Sequence, residues 1–146
     1  MNVALGDIAR RPALDPALAL LAVASLPTAD ISNELLEHFF FIGPRMGPFG
    51  LVGLEIRGKY ALLRSLVVAP DHRGCGAGAA LVAHVENHAR VQGVAAVYLL
   101  TTTAEPFFAR LGYRLTGRDD APLAIRSTQE FSQFCPATSA LMVKRL

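Results

Sequence analysis

The 146-residue chain has no tryptophan, two cysteines, and charged side chains at only 18% of its positions. Cys75 and Cys135 are too far apart in sequence for a metal-ligand spacing and too few for a disulfide framework, which excludes a stapled scaffold and a structural zinc site. A net charge of +2 is too small to hold the chain on nucleic acid or on a lipid surface. No apolar run approaches the ~18 residues of a membrane span. The longest, Pro16–Leu26, comes after two arginines but lacks a small-residue cleavage site ahead of a mature domain, so it is expected as a helix rather than a leader. Repeats and low-complexity linkers are absent too. What remains is one domain over residues 1–146, with 52% hydrophobic residues to build a core. The two cysteines fit reducing, cytoplasmic surroundings, and the expectations include no nucleic acid, no membrane and no metal. His84 and His88 stand four apart on a predicted helix, but Val85-Glu86-Asn87 between them does not make His-Glu-x-x-His and no third ligand is placed.

What is present centres on Leu62–Arg90. Leu62 to Pro70 reads as a strand closed by a proline that cannot donate to a ladder. Asp71–Gly78 is a glycine-rich turn, and Ala79–Arg90 reads as a helix, with Gly78, Val82, Val85 and Ala89 on one stripe. A turn that opens straight into a helix N-terminus offers free N–H groups and the positive end of the helix dipole, which together make an anion site. It lacks the lysine followed by Ser or Thr of a nucleoside-triphosphate loop. Its glycines at 74, 76 and 78, with no acid after Val94–Leu100, do not make a dinucleotide fingerprint.

Around this unit the chain alternates. Val3–Ile8 is predicted as a short strand, Asp15-Pro16 as a helix start with the aspartate as cap, and Leu18, Leu21, Ala22 and Leu26 as the buried stripe. Asp30 or Ser32 caps a second helix to Leu36 or Glu37. Phe39–Ile42, Gly50–Arg57 and Tyr60–Val68 read as strands, the last two joined by a Gly58-Lys59 hairpin turn. Val94–Thr101 is an apolar strand buried on both faces. Glu105–Leu111 is a short helix ended by Gly112, Tyr113–Leu115 a strand, Asp120–Phe131 helix or loop, and Ala140–Lys144 a last strand.

Arg73, Gly76 and Gly78, preceded by Val67-Val68-Ala69-Pro70, form Arg-x-x-Gly-x-Gly and resemble the acetyl-CoA signature of the GNAT superfamily of acyltransferases. Thr101 to Tyr113 is similar to the family's Phe-Phe/Tyr-x-x-x-Gly-Phe/Tyr block. The tail Pro122…Phe131…Cys135-Pro136…Met142-Val143-Lys144 resembles small acetyltransferases of bacterial arsenic-resistance operons, whose relatives acetylate arsinothricin. More distantly, it is similar to catalytic domains of N-acetylglutamate synthases. The resemblance implies an α/β GNAT fold: a central, mostly antiparallel sheet, splayed at the cofactor strand and flanked by helices. It implies acetyl-CoA as cosubstrate, with its phosphates on Arg73, Gly74, Cys75, Gly76, Ala77 and Gly78, its pantetheine arm along Leu66, Val67 and Val68, and Phe108 beside it. Many members carry a Tyr at the Phe108 position to protonate the leaving thiolate, and a Glu as base where this chain has Leu62.

These departures move attention to other residues. Glu55 is the lone carboxylate of an apolar strand, where a charge is expensive unless it is paired or wet. It is a candidate base or ammonium holder, or else a solvent-facing glutamate. Arg64 interrupts the partner strand and either forks onto a substrate anion or bridges to Glu55. Tyr113 is the candidate acid, at a position usually aromatic for packing. Thr101 and Thr102 end a strand where such sheets open to ligands. The leading function is acetyl-CoA-dependent N-acetylation of a small amino-acid-like amine, among them glutamate-analogue arsenical or phosphinic antibiotics. A protein-amine acetyltransferase and a non-catalytic acyl-CoA-binding module stay open, as does a homodimer.

Overall fold

The computed structural model describes residues 7–146. Seven strands form one sheet, β1 Ile8–Arg10, β2 Phe39–Ile42, β3 Gly50–Arg57, β4 Tyr60–Val68, β5 Ala96–Thr101, β6 Arg114–Thr116 and β7 Ala140–Arg145, in the order β1-β2-β3-β4-β5-β7-β6. Every pairing is antiparallel except β4 with β5. Helix α2, Ala77–Val91, covers one face and α1, Leu14–Val23, covers part of the other, with the one-turn α4, Leu123–Arg126, beside it; the short α3 is Glu105–Arg110. Alternation within the strands divides the core accordingly. Phe40, Ile42, Val52, Leu54 and Leu63 meet Leu81, Val82 and Val85 of α2, while Phe39, Phe41, Leu51 and Val67 meet Ala17 and Leu21 of α1. Near the centre of β3, Gly53 lets the Phe39 ring lie flat on the sheet, since a Cβ there would stand 2.2 Å from Cζ.

The bounds of β2, β3 and β4 are those predicted. Other ends shift for identifiable reasons. Helix α1 starts at Leu14 with no side-chain cap, and Asp15 sits in its first turn instead of capping it. The predicted second helix contracts to a single 3-10 turn, Leu35–His38. Ser32 Oγ accepts from the Leu35 N–H at 3.3 Å, and Asp30 is drawn away by Arg64. Strand β5 begins late because the Val94 N–H donates to Ala89 O, closing the end of α2. Strand β6 begins late because the Tyr113 N–H donates to Phe108 O at the end of α3. The first strand lies at Ile8–Arg10 and meets its predicted span, Val3–Ile8, only at Ile8; Asp7 is outside the strand, and Val3–Gly6 is outside the described residues.

Candidate active site

Strand β4 opens the sheet. It pairs with β5 only over Tyr60–Leu62 against Ala96–Tyr98, and beyond Leu62 the two strands diverge. On its other side β4 carries one extra residue against β3, because Leu51 faces Val67 while Gly53 already faces Arg64. Ser65, at φ 59°, takes up that bulge, which bends the strand and re-aims the residues after it. The wedge between β4 and β5 holds two connected cavities.

The first, about 690 Å³, runs from the glycine turn along Leu66, Val67 and Val68 to Thr103 and Ala104, with Phe107 as a wall. Gly74 and Gly76 stand at φ 83° and 84°, a left-handed backbone that suits glycine. Gly76 is the N-cap of the fifteen-residue α2 and no side chain caps it, so the first N–H groups of the helix point into the cavity. Gly78 faces Phe107, whose Cζ would lie 3.3 Å from an added Cβ. Arg73 borders the cavity and donates from Nε to Val68 O at 3.0 Å. A bare helix N-terminus, two left-handed glycines, an arginine and an unpaired strand edge fit a diphosphate followed by an amide-bearing arm, as in coenzyme A. Two placements differ from expectation. Cys75 turns behind the cradle, donating its thiol to His72 O at 2.9 Å. Phe107, not Phe108, lines the channel.

The second cavity, about 470 Å³, fills the wedge itself and shares Leu66, Thr103 and Ala104 with the channel. Phe108, Arg64, Thr101, Thr102, Glu130, Cys135 and Ser139 line it. Ser139 Oγ is buried there and finds no partner among the described residues.

One wall is a charge cluster. The Arg64 side chain is fully buried and its donors are largely spent. Nη1 and Nη2 clasp the Asp30 carboxylate, Nη1 also reaches Glu55 Oε1 at 2.8 Å, and Nε donates to Ser65 Oγ at 3.2 Å. Glu55 in turn accepts from Arg57 at 2.8 Å. Burial alone would lower the Arg64 pKa, but the hydrogen bonds to Asp30 and Glu55 and the charges of Glu130 and Asp30 outweigh it and raise it. Glu55 and Arg64 are thus brought together as an ion pair, and Glu55 does not face the wedge. A guanidinium so engaged has little left to fork onto a substrate carboxylate, and breaking the cluster would strand buried charge.

Glu130 completes the cluster and is the residue that sequence reasoning missed. It opens a π-type turn, Glu130–Phe134, closed by Cys135 N–H donating to Glu130 O at 2.9 Å and anchored by Thr128 Oγ1, which accepts from Phe131 N–H at 3.3 Å. Such widened turns recur at functional sites. Glu130 is 6% exposed and its carboxylate lies 3.6 Å from Arg64 Nη2, beyond hydrogen-bond reach. Burial raises its pKa, Arg64 pulls it back, and Asp30 and Glu55 push it up again, leaving it at about 7. Burial and the Glu130 charge likewise raise the Cys135 thiol to about 11. No spacing marks Glu130 in the sequence; its one hint is its place in the tail segment beside Phe131.

Tyr113 lies elsewhere. Its hydroxyl donates to Glu86 Oε2 at 2.9 Å, and Lys144 Nζ donates to Glu86 Oε1 at 2.9 Å. This clamp ties α2 to β7 inside the core, away from both cavities. Burial first, then the Glu86 charge, raise the tyrosine pKa, and Tyr113, the candidate acid, lines neither cavity. Among the described residues no group of three His, Cys, Asp or Glu side chains could hold a metal ion, and no helix is long and apolar enough to cross a membrane.

Residues 36–115 match the family model described as an acetyltransferase (GNAT) domain. Over 96 residues the chain is 42% identical to an amino-acid acetyltransferase of Ralstonia nicotianae, a match covering 64% of this chain and 20% of the relative. The chain therefore spans about a fifth of that relative's length. N-acetylglutamate synthase from Neisseria gonorrhoeae, solved with coenzyme A and N-acetyl-glutamate, has a TM-score of 0.81 at 19% identity, covering 96% of this chain and 35% of that one. A Mycobacterium tuberculosis protein solved with CoA gives 0.75 at 20% identity, over 96% and 99% of the two chains.

Proposed function

The chain belongs to the GNAT family of acetyltransferases, and from that premise we propose that it is an N-acetyltransferase that moves the acetyl group of acetyl-CoA to the amino group of a small amino-acid-like molecule. The carrying observation is the wedge beyond Leu62, where a channel suited to a diphosphate and its arm meets a second cavity at Leu66, Thr103 and Ala104. In this reading the cradle from Arg73 to Gly78 holds the phosphates, and the edge of Leu66–Val68 pairs with the arm. One N–H of that edge faces the thioester oxygen, where a fixed donor stabilises developing charge.

The Ralstonia relative is an amino-acid acetyltransferase and the Neisseria structure carries N-acetyl-glutamate, which supports an amino-acid-like acceptor. With Arg64 engaged, a substrate anion falls to the hydroxyls of Thr101, Thr102 and Ser139 around the cavity. Glutamate analogues, arsinothricin and phosphinothricin among them, are the favoured acceptors, in keeping with detoxification in a reducing cytoplasm where Cys75 and Cys135 stay free. No side-chain acid is required for the leaving thiol, whose pKa of ~8.5 makes it a tolerable leaving group at neutral pH.

Thiol release from acetyl-CoA, measured against glutamate, arsinothricin, phosphinothricin, other α-amino acids and peptide amines, tests this reading. Turnover confined to the small zwitterions is the expected result. Turnover only with peptide amines, or binding of acetyl-CoA without turnover on any amine, overturns it in favour of a protein acetyltransferase or a binding module.

A further inference from the structure

Three carboxylates surround Arg64, and they are not equivalent. Asp30 takes two hydrogen bonds from the guanidinium, and Glu55 takes one from it and one from Arg57. Glu130 stands 3.6 Å from Nη2 and accepts no hydrogen bond among the described residues. Two guanidiniums against three acids leave one carboxylate without a counter-charge, and Glu130, the one with the weakest hold, is the one that most readily takes up and gives back a proton. That acid lines the wedge, the cavity that meets the thioester end of the channel. Asp30 and Glu55 are turned toward Arg64 and away from it. Other groups near Glu130 are the Cys135 thiol of its own turn and Arg118, whose guanidinium lies 4.5 Å from the centre of the Phe131 ring. Among the described residues no other acid lines this cavity, and the only other charged group on its wall is Arg64 itself.

We propose that Glu130 takes the proton from the acceptor amine, and that Arg64, Asp30 and Glu55 set how readily it does so. This rests on the transferase reading above and supplies its missing base. An ammonium entering the wedge meets the ionised form of the Glu130 carboxylate and gives it a proton, directly or through one water. The freed nitrogen lone pair forms the C–N bond to the acetyl carbon, the C–S bond breaks with its electron pair leaving on sulfur, and the second amine proton passes to that thiolate. Glu130 then returns its proton to solvent, so that amine and thioester become amide and thiol. A pKa near neutrality suits a group that must both accept and release a proton at working pH.

The test is the pH profile of kcat/KM for wild type, Glu130→Gln and Asp30→Asn, with acetyl-CoA affinity measured by calorimetry. Wild type is expected to lose activity below a limb near pH 7, distinct from the amine's own ionisation at higher pH. In Glu130→Gln kcat/KM falls ~100-fold or more and the limb disappears, while acetyl-CoA binds within about two-fold of wild type. In Asp30→Asn the limb moves to lower pH, because a neighbouring negative charge is gone and Arg64 is freed toward Glu130. Carbon-13 NMR of carboxyl-labelled wild type gives a readout independent of turnover. The signal missing from Glu130→Gln should titrate near 7, and titration in the ordinary glutamate range of about 4 to 5 overturns the proposal. Wild-type activity with the limb unchanged in Glu130→Gln overturns this inference alone. A wild type that acetylates no amine overturns the transferase reading with it.

Discussion

At Tyr113 a hydroxyl that resembles a catalytic acid by its place in the chain is instead a structural donor. Replacing it with phenylalanine leaves Glu86 Oε2 without its partner, while Lys144 still serves Oε1. A buried acceptor stripped of its donor costs ~1–3 kcal/mol. Tyr113→Phe is therefore expected to lower the melting temperature yet keep turnover within a few-fold of wild type. Thermal melts beside steady-state rates check both halves, and a ~100-fold loss of turnover would restore Tyr113 as the acid. Glu55 and Arg64 were legible as exceptional because each is a single charge in an apolar strand, and the short hairpin between them put them on neighbouring strands. Their partners were not. Asp30 lies 34 residues before Arg64 in a segment that reads as a helix cap, and Glu130 comes after a polar stretch, so only the folded chain brings these charges together.

Elements with strong internal signals were read to the residue, and those whose ends are settled by competition were not. Strands β2, β3 and β4 are bounded by glycine, proline or a two-residue turn, whereas β5 and β6 start where a preceding helix releases its last carbonyl groups. Helix α2 carries two consequences. Gly76 caps it at φ 84°, a conformation in which a β-branched residue is a severe outlier. Gly76→Val should weaken acetyl-CoA binding at least about ten-fold by calorimetry, and unchanged affinity would remove the phosphates from this turn. At the far end, His88 Nε2 and His38 Nδ1 lie 2.9 Å apart, joining α2 to the 3-10 turn before β2. Burial, then the neighbouring Arg10 for His38 and His38 for His88, lower both pKa values below 6.5. A lowered histidine pKa means the unfolded chain binds more protons, so this stabilisation is full above about pH 6.5 and is lost as pH falls below it. Glu130, raised to about 7, acts oppositely, losing stabilisation as pH rises through that value. Denaturant midpoints between about pH 7.5 and 5 should fall more steeply for wild type than for His88→Gln, and parallel curves would show that the pair does not couple to folding.

Across the whole molecule, the order of strands and helices was legible, while the depth of the wedge was not, because it depends on where β4 and β5 stop pairing. Three residue pairs hold the two halves of the sheet together at that seam. Past them, the β4 backbone from Leu63 onward presents hydrogen-bonding groups with no strand beside them on the β5 side. Proteins usually shield such edges, because an unpaired strand recruits another chain. In the proposed reading the shield is the bound cosubstrate, which leaves at each turnover, so the free protein is expected to be the stickier form. Light scattering at a fixed temperature below the melting point should rise faster without coenzyme A than with it at saturation. Ala69 donates its N–H to Phe49 O on the β3 side, so by alternation the N–H of Val68 faces the open side. Replacing Val68 with proline removes that donor and should narrow the gap. Keeping this protein supplied with its cosubstrate would then be a matter of solubility as well as of rate.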